Sequence, residues 1–131
     1  MNSVSEDIKD FIELSDTGLD WDFGTDMFIG FMPETPDKCI CIYDTGGYPP
    51  QSNYDYYKPT IQIIIRGNKQ DYQSAWDDAF ELMDVLHGVH GEEINLTTYI
   101  QILSMSDILF LGYDKNKRPE FSINFEIHRT G

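Results

Sequence analysis

A length of 131 residues sets one folding unit, 1–131, large enough to bury a hydrophobic core without a metal or disulfide staple. Against nine Lys and Arg stand 23 Asp and Glu, a formal net charge of −14, and such a field repels nucleic acid and anionic lipid. Only two cysteines occur, Cys39 and Cys41: they are too close for an unstrained bridge and lack the further ligands of a zinc site, so they read as small buried residues in a reducing compartment.

The opening MNSVSEDIKDF has neither a basic start nor an apolar stretch, and the longest apolar run is far short of a membrane span. These features predict a soluble protein, made in the cytoplasm, that has no contact with a membrane. Residues 3–15 read as a short helix. Ser3 and Glu6 fit a capping box, Val4, Ile8, Phe11 and Ile12 share a face, and Thr17 and Gly18 stop it.

DMFIGFMP and KCICIYD follow as short strands joined by the proline-bearing loop PETPD. The stretch TGGYPPQSNYDYYKP after Asp44 reads as a long, ordered loop. TIQIIIRG is a strand with Ile61, Ile63 and Ile65 on one face and Thr60, Gln62, Ile64 and Arg66 on the other.

One long helix is expected over about 70–87, with Tyr72, Trp76, Ala79, Phe80, Met83 and Leu86 on a shared face and Gly88 closing it. EINLTTYIQILSM holds two strands or one bent strand, and DILFLGYD another. The last strand, PEFSINFEIH, turns Phe121, Ile123, Phe125 and Ile127 inward and Ser122, Asn124, Glu126 and His128 outward. DKNKR is the hairpin tip before it. The expected fold is α+β: a mainly antiparallel sheet packed against one long amphipathic helix, with a short N-terminal helix.

Several motifs invite a chemical reading. Asp44-Thr45-Gly46 is the triplet of an aspartic protease, but one copy supplies half of a dyad, so catalysis would require a homodimer. Gly46, Gly47, Pro49 and Pro50 instead favour a rigid structural loop built on Asp44 and Thr45. His87 and His90, near Glu92 and Glu93, could be metal ligands, although His87 at a helix exit suits the helix dipole and His90 reads as a loop residue. No phosphate-binding glycine motif or nucleophile triad is present, so neither an enzyme nor a cofactor is expected. On the long helix, Asp77, Asp78, Glu81 and Asp84 lie opposite the apolar face, with no Lys or Arg between Asp71 and His87. An acidic face of this kind is either solvated, lines a channel, or meets a basic partner. The only basic cluster is Lys115, Lys117 and Arg118 at the hairpin tip, placed to reach a neighbouring copy.

Four blocks in order carry a resemblance across residues 24–128: Thr25-Asp26-Met27-Phe28, Met32-Pro33 through Pro36-Asp37, Tyr43-Asp44-Thr45-Gly46-Gly47 through Pro49-Pro50, and Arg118-Pro119-Glu120-Phe121-Ser122 through Phe125. The chain thereby resembles the minor capsid or tail-terminator proteins of long, non-contractile-tailed phages. The resemblance implies a virion protein of the head–tail neck, a homo-oligomer forming a ring, most often hexameric. Such a ring caps the tail tube protein, ends its polymerisation and meets a head connector or completion protein. The genome DNA passes through without specific binding. A head-completion protein on the head side of the neck is the alternative role.

Overall fold

The computed structural model describes residues 1–51 and 54–131. Helix α1 spans Val4–Ile12; strands β1 (Met27–Ile29), β2 (Cys39–Gly47), β3 (Tyr56–Tyr57) and β4 (Pro59–Arg66) follow. Helix α2 spans Tyr72–Leu86, and β5 (His90–Ile94), β6 (Thr97–Ser104), β7 (Leu109–Tyr113) and β8 (Pro119–Thr130) complete the chain. Among the described residues the eight strands form one curled mixed sheet in the order β1-β2-β4-β8-β6-β5, with β3 and β7 also paired to β8. The fold is α+β. Every named strand pair is antiparallel except β1–β2, which runs parallel.

Strand β8 is the spine. One of its edges pairs with β4 and then β3, and the other with β7 and then β6. Its alternation places Phe121, Ile123, Phe125 and Ile127 in the core with Ile61, Ile63 and Ile65 of β4 and Ile40 and Ile42 of β2. Both helices cover this face. Ser3 caps α1 by accepting from the Glu6 N–H, and Val4, Ile8, Phe11 and Ile12 are buried as the spacing predicts.

Helix α2 differs from expectation in length and in register. It is short, 15 residues or about four turns, rather than the long helix expected. Asp71 caps it through the Ser74 N–H, and Gly88, at φ 88°, lies just beyond its end. The buried stripe is Ala75, Ala79, Leu82 and Leu86, while Tyr72 and Phe80 are exposed and Trp76 and Met83 half-buried. Size explains the rotation. Ala75 packs so closely on Gly67 that a Cβ at Gly67 would lie 2.7 Å from the Ala75 Cβ, so only small side chains fit at that contact. The aromatics flank it instead, with Trp76 and Phe80 stacked at 5.4 Å.

EINLTTYIQILSM resolves into two strands, and His90 opens β5 instead of lying in a loop. A bulge between Tyr99 and Gln101 keeps both Tyr99 and Ile102 inward, which strict alternation in β6 forbids. The β5–β6 turn is formed by Asn95 and Leu96 at φ 51° and 66°. Two consecutive positive φ values favour Asn-Gly, and Leu96 is 87% exposed, so no packing offsets its strain. Leu96→Gly is expected to raise stability by about 0.5–1 kcal/mol, read as a higher urea midpoint at unchanged slope.

Candidate assembly face

The sheet face away from the helices carries part of the motif blocks, Phe28, Met32 and Tyr43 among them, while Met27, Phe121 and Phe125 lie in the core on the other face. Cys39 and Cys41 of β2 point to it together and are fully buried, free thiols packed with Phe28, Met32 and Tyr43. Burial pushes both thiols above their ordinary range, and the Cys41 Sγ donates to the Phe31 carbonyl at 2.9 Å. They are inert packing groups here.

Two arginines clamp the Met32–Asp37 loop over this face. Arg66, at the end of β4, donates through Nε to the Asp37 carbonyl (2.8 Å) and through Nη2 to the carbonyls of Pro33 and Pro36 (2.7 Å each). Arg118, just before β8, donates through Nη1 to the Glu34 carbonyl (2.6 Å) and the Asp37 carboxylate (3.1 Å), and through Nε to Asp114 (2.8 Å). A guanidinium suits this task because its fork of donors satisfies several loop carbonyls that proline-rich sequence leaves without ladder partners. The separated blocks Met32–Asp37 and Arg118–Phe125 therefore meet in space.

This geometry corrects the basic tip. Lys115 and Lys117 are exposed, but Arg118 is 3% exposed and spent within the chain. Asp114 turns the tip back on itself, accepting from the N–H groups of Asn116 (2.9 Å) and Arg118 (3.0 Å), and so presents its carboxylate to the Arg118 side chain. Burial, the largest single influence, pushes the Asp114 pKa up. The hydrogen bonds and charge of Arg118 together with the Asn116 N–H outweigh it, and the net shift is below the ordinary 3.8.

The Asp44–Gly47 segment is likewise not a loop. It is the end of β2, and only Pro49 and Pro50 lie beyond the strand. The Asp44 carboxylate accepts from the Ser5 N–H (3.2 Å) and so serves the N-terminus of α1. The Thr45 hydroxyl meets that of Thr60 at 2.7 Å. Gly47, at φ 103°, lies so close to β4 that a Cβ would come within 2.5 Å of the Lys58 carbonyl oxygen.

Of the four acidic residues expected on one face of α2, Asp77, Glu81 and Asp84 are exposed. Asp78 is set apart: its side chain is 18% exposed, and Lys38 Nζ lies 3.6 Å away. Burial raises the Asp78 pKa, opposed by the Lys38 charge. His87 is the C-cap of α2, and its Nδ1 accepts from the Ser104 N–H at 2.8 Å. His90 contacts the Gly88 carbonyl, and among the described residues no group of three metal-ligating side chains gathers around either histidine.

One buried polar cluster escaped the sequence reading. Asp7 of α1 accepts from the Tyr99 hydroxyl (2.5 Å) and from Asn95 Nδ2 (2.9 Å), while Arg129 Nη1 donates to Tyr99 (3.1 Å) and to the Asn2 carbonyl (2.9 Å). Burial, with the Asp7 carboxylate, pushes the Tyr99 phenol well above its ordinary range. The available signal was parity: Arg129 continues the inward row of Phe121 to Ile127, and an inward arginine near a chain end demands a carboxylate.

By fold and by the use of its charges, the chain is an α+β module whose buried ions lock loops and termini in place. It belongs to the bacteriophage tail terminator family, which it matches over residues 17–130. No curated protein matches the chain. A tail-associated structural role and a place in the virion follow from the family. Among the described residues, no helix is long and apolar enough to cross a membrane.

Arg118→Ala is expected to cost about 2–4 kcal/mol by urea denaturation, because it strands the Asp114 carboxylate and the loop carbonyls together. Since the folded Asp114 pKa is depressed, its contribution is complete above 3.8 and declines as the pH falls through the lower folded value. Asp114→Asn should therefore be less stable than wild type at neutral pH and lose less stability on acidification below about pH 4.

Proposed function

We propose that the chain is the ring-forming subunit that caps the finished tail tube, stops its polymerisation and joins it to the head. The family match over residues 17–130 carries this reading. Charge supports it. Arg66, Arg118 and Arg129 are buried, Lys9 and Lys38 are paired with carboxylates, and Asp77, Glu81 and Asp84 form an exposed acidic stripe. A ring traversed by the genome must not hold it, and each phosphate contact by Lys or Arg strengthens that hold. In a hexamer every copy adds −14, so internal use of the cations is compatible with DNA passage but leaves self-repulsion that the subunit contacts must overcome. The neighbours in this reading are the tail tube protein on one ring face and a head connector on the other. No catalytic step is assigned to it.

A nonsense codon in the gene, with the lysate imaged by negative-stain electron microscopy, tests the assignment. The expected outcome is tails of abnormal, variable length beside separate DNA-filled heads. Normal-length free tails beside leaking or empty heads would instead assign the chain to the head side of the neck, and normal particles would exclude both roles.

A further inference from the structure

Strand β7 is an apolar edge with little cover. Leu109, Phe110, Leu111 and Tyr113 are each between 39 and 54% exposed. The strand pairs with β8, and among the described residues nothing pairs with its other edge. An open apolar edge is an aggregation liability that proteins ordinarily charge or cover. Among the described residues no charged side chain lies on β7, and Tyr72 packs on Phe110 without covering the edge.

The two ends of β7 are unlike. Beyond Tyr113 lies the tip with Lys115 and Lys117, joined by Lys69 because the Gln70 N–H donates to the Lys117 carbonyl at 2.8 Å. Among the described residues none of these three exposed lysines makes an ion pair, whereas Lys9, Lys38, Arg118 and Arg129 all do. Before Leu109 lies a groove of about 340 Å³ between the last turns of α2 and the β6–β7 connection. Phe80 and Met83 supply its apolar lining, and Asp84 and Asp107 its acidic groups. That combination suits a lysine, whose methylene stem packs on the apolar surface while its ammonium reaches the carboxylates.

Asp107 and Lys115 lie eight positions apart along nearly extended chain, about 25 Å, so a copy cannot place its own tip in its own groove. We propose that the Lys115–Lys117 tip of one copy seats in the α2–β7 groove of the next, with β7 covered along the contact. The occupant is a second copy of this chain, because the unpaired lysines are the complement of the acidic groove. The proposed contact is made once per pair, head to tail, and so generates a ring or a filament; made reciprocally between two copies it would close a two-fold dimer instead, which oxidation would show as linked pairs without a ladder. The biological role of the contact rests on the ring reading above.

The test uses the full purified chain and three variants. Lys115→Glu with Lys117→Glu reverses the tip, and Asp84→Lys with Asp107→Lys reverses the groove. Sedimentation at high concentration should show wild-type self-association and an at least roughly tenfold weaker constant for each reversed variant, a loss of about 1.4 kcal/mol or more. An equimolar mixture of the two should recover association, because each reversed patch then meets its complement. In a third variant, Lys115→Cys with Ser106→Cys, mild oxidation should give a ladder of linked copies, since the native Cys39 and Cys41 are buried. The ladder also reports the contact if the reversed variants misfold. Wild-type chain that stays monomeric with no ladder would overturn the proposal. So would reversed variants that associate like wild type, or a tip that crosslinks only to added tail tube protein. Normal tails in the nonsense phage with an intact ladder would sink the terminator role alone. Abnormal tails without a ladder would sink only this contact.

Discussion

Strand β8 is the constraint on which the rest of the structure depends. Its 12 residues hold β4 and β3 along one edge and β7 and β6 along the other, so its backbone groups complete two ladders at once. Its inward side chains supply Phe121, Ile123, Phe125 and Ile127 to the core beneath both helices. Because β8 comes last in the chain, the β1-β2-β4 half and the β5-β6 half stay unjoined until it is placed. Antiparallel pairing across such sequence separations is entropically slow to form, and once formed it fixes the register of most of the sheet.

The buried arginines extend that constraint to the irregular segments. Arg66 and Arg118, at the ends of adjacent strands, satisfy the carbonyls of a proline-bearing loop that has no ladder of its own. Arg129, at the far end of β8, ties Tyr99, Asp7 and the Asn2 carbonyl, and so fixes α1 against the sheet. Removing a guanidinium from such a place is costly because several partners are left unsatisfied together. Spending cations inside the fold also leaves the exterior more acidic than the composition alone implies. Structure and surface charge are thus coupled through the same three residues.

Periodicity made much of the fold legible. The isoleucine row of β4, the alternation of β8 and the capped face of α1 all stand where their spacing puts them, because period and capping chemistry act within a few residues. The two buried cysteines share a face for the same reason. The register of α2 did not follow. Its bulky residues marked a plausible apolar stripe, but the close approach of Gly67 to Ala75 admits only small side chains and turns the aromatics to the flanks. Likewise the Asp-Thr-Gly-Gly segment has loop composition, yet β4 draws it into the sheet as far as Gly47.

The candidate site divides in the same way. Sequence alone determined the family resemblance, that the cations are few, and that Lys115 and Lys117 sit on a turn, since these are properties of composition and local order. Only tertiary structure decided that Arg118 faces inward, that Asp78 pairs with Lys38, and that Asp7 meets Tyr99 and Arg129. Each of those contacts joins residues whose pairing depends on strand register and helix rotation. Those are settled by packing the whole core, and no local stretch of sequence encodes them.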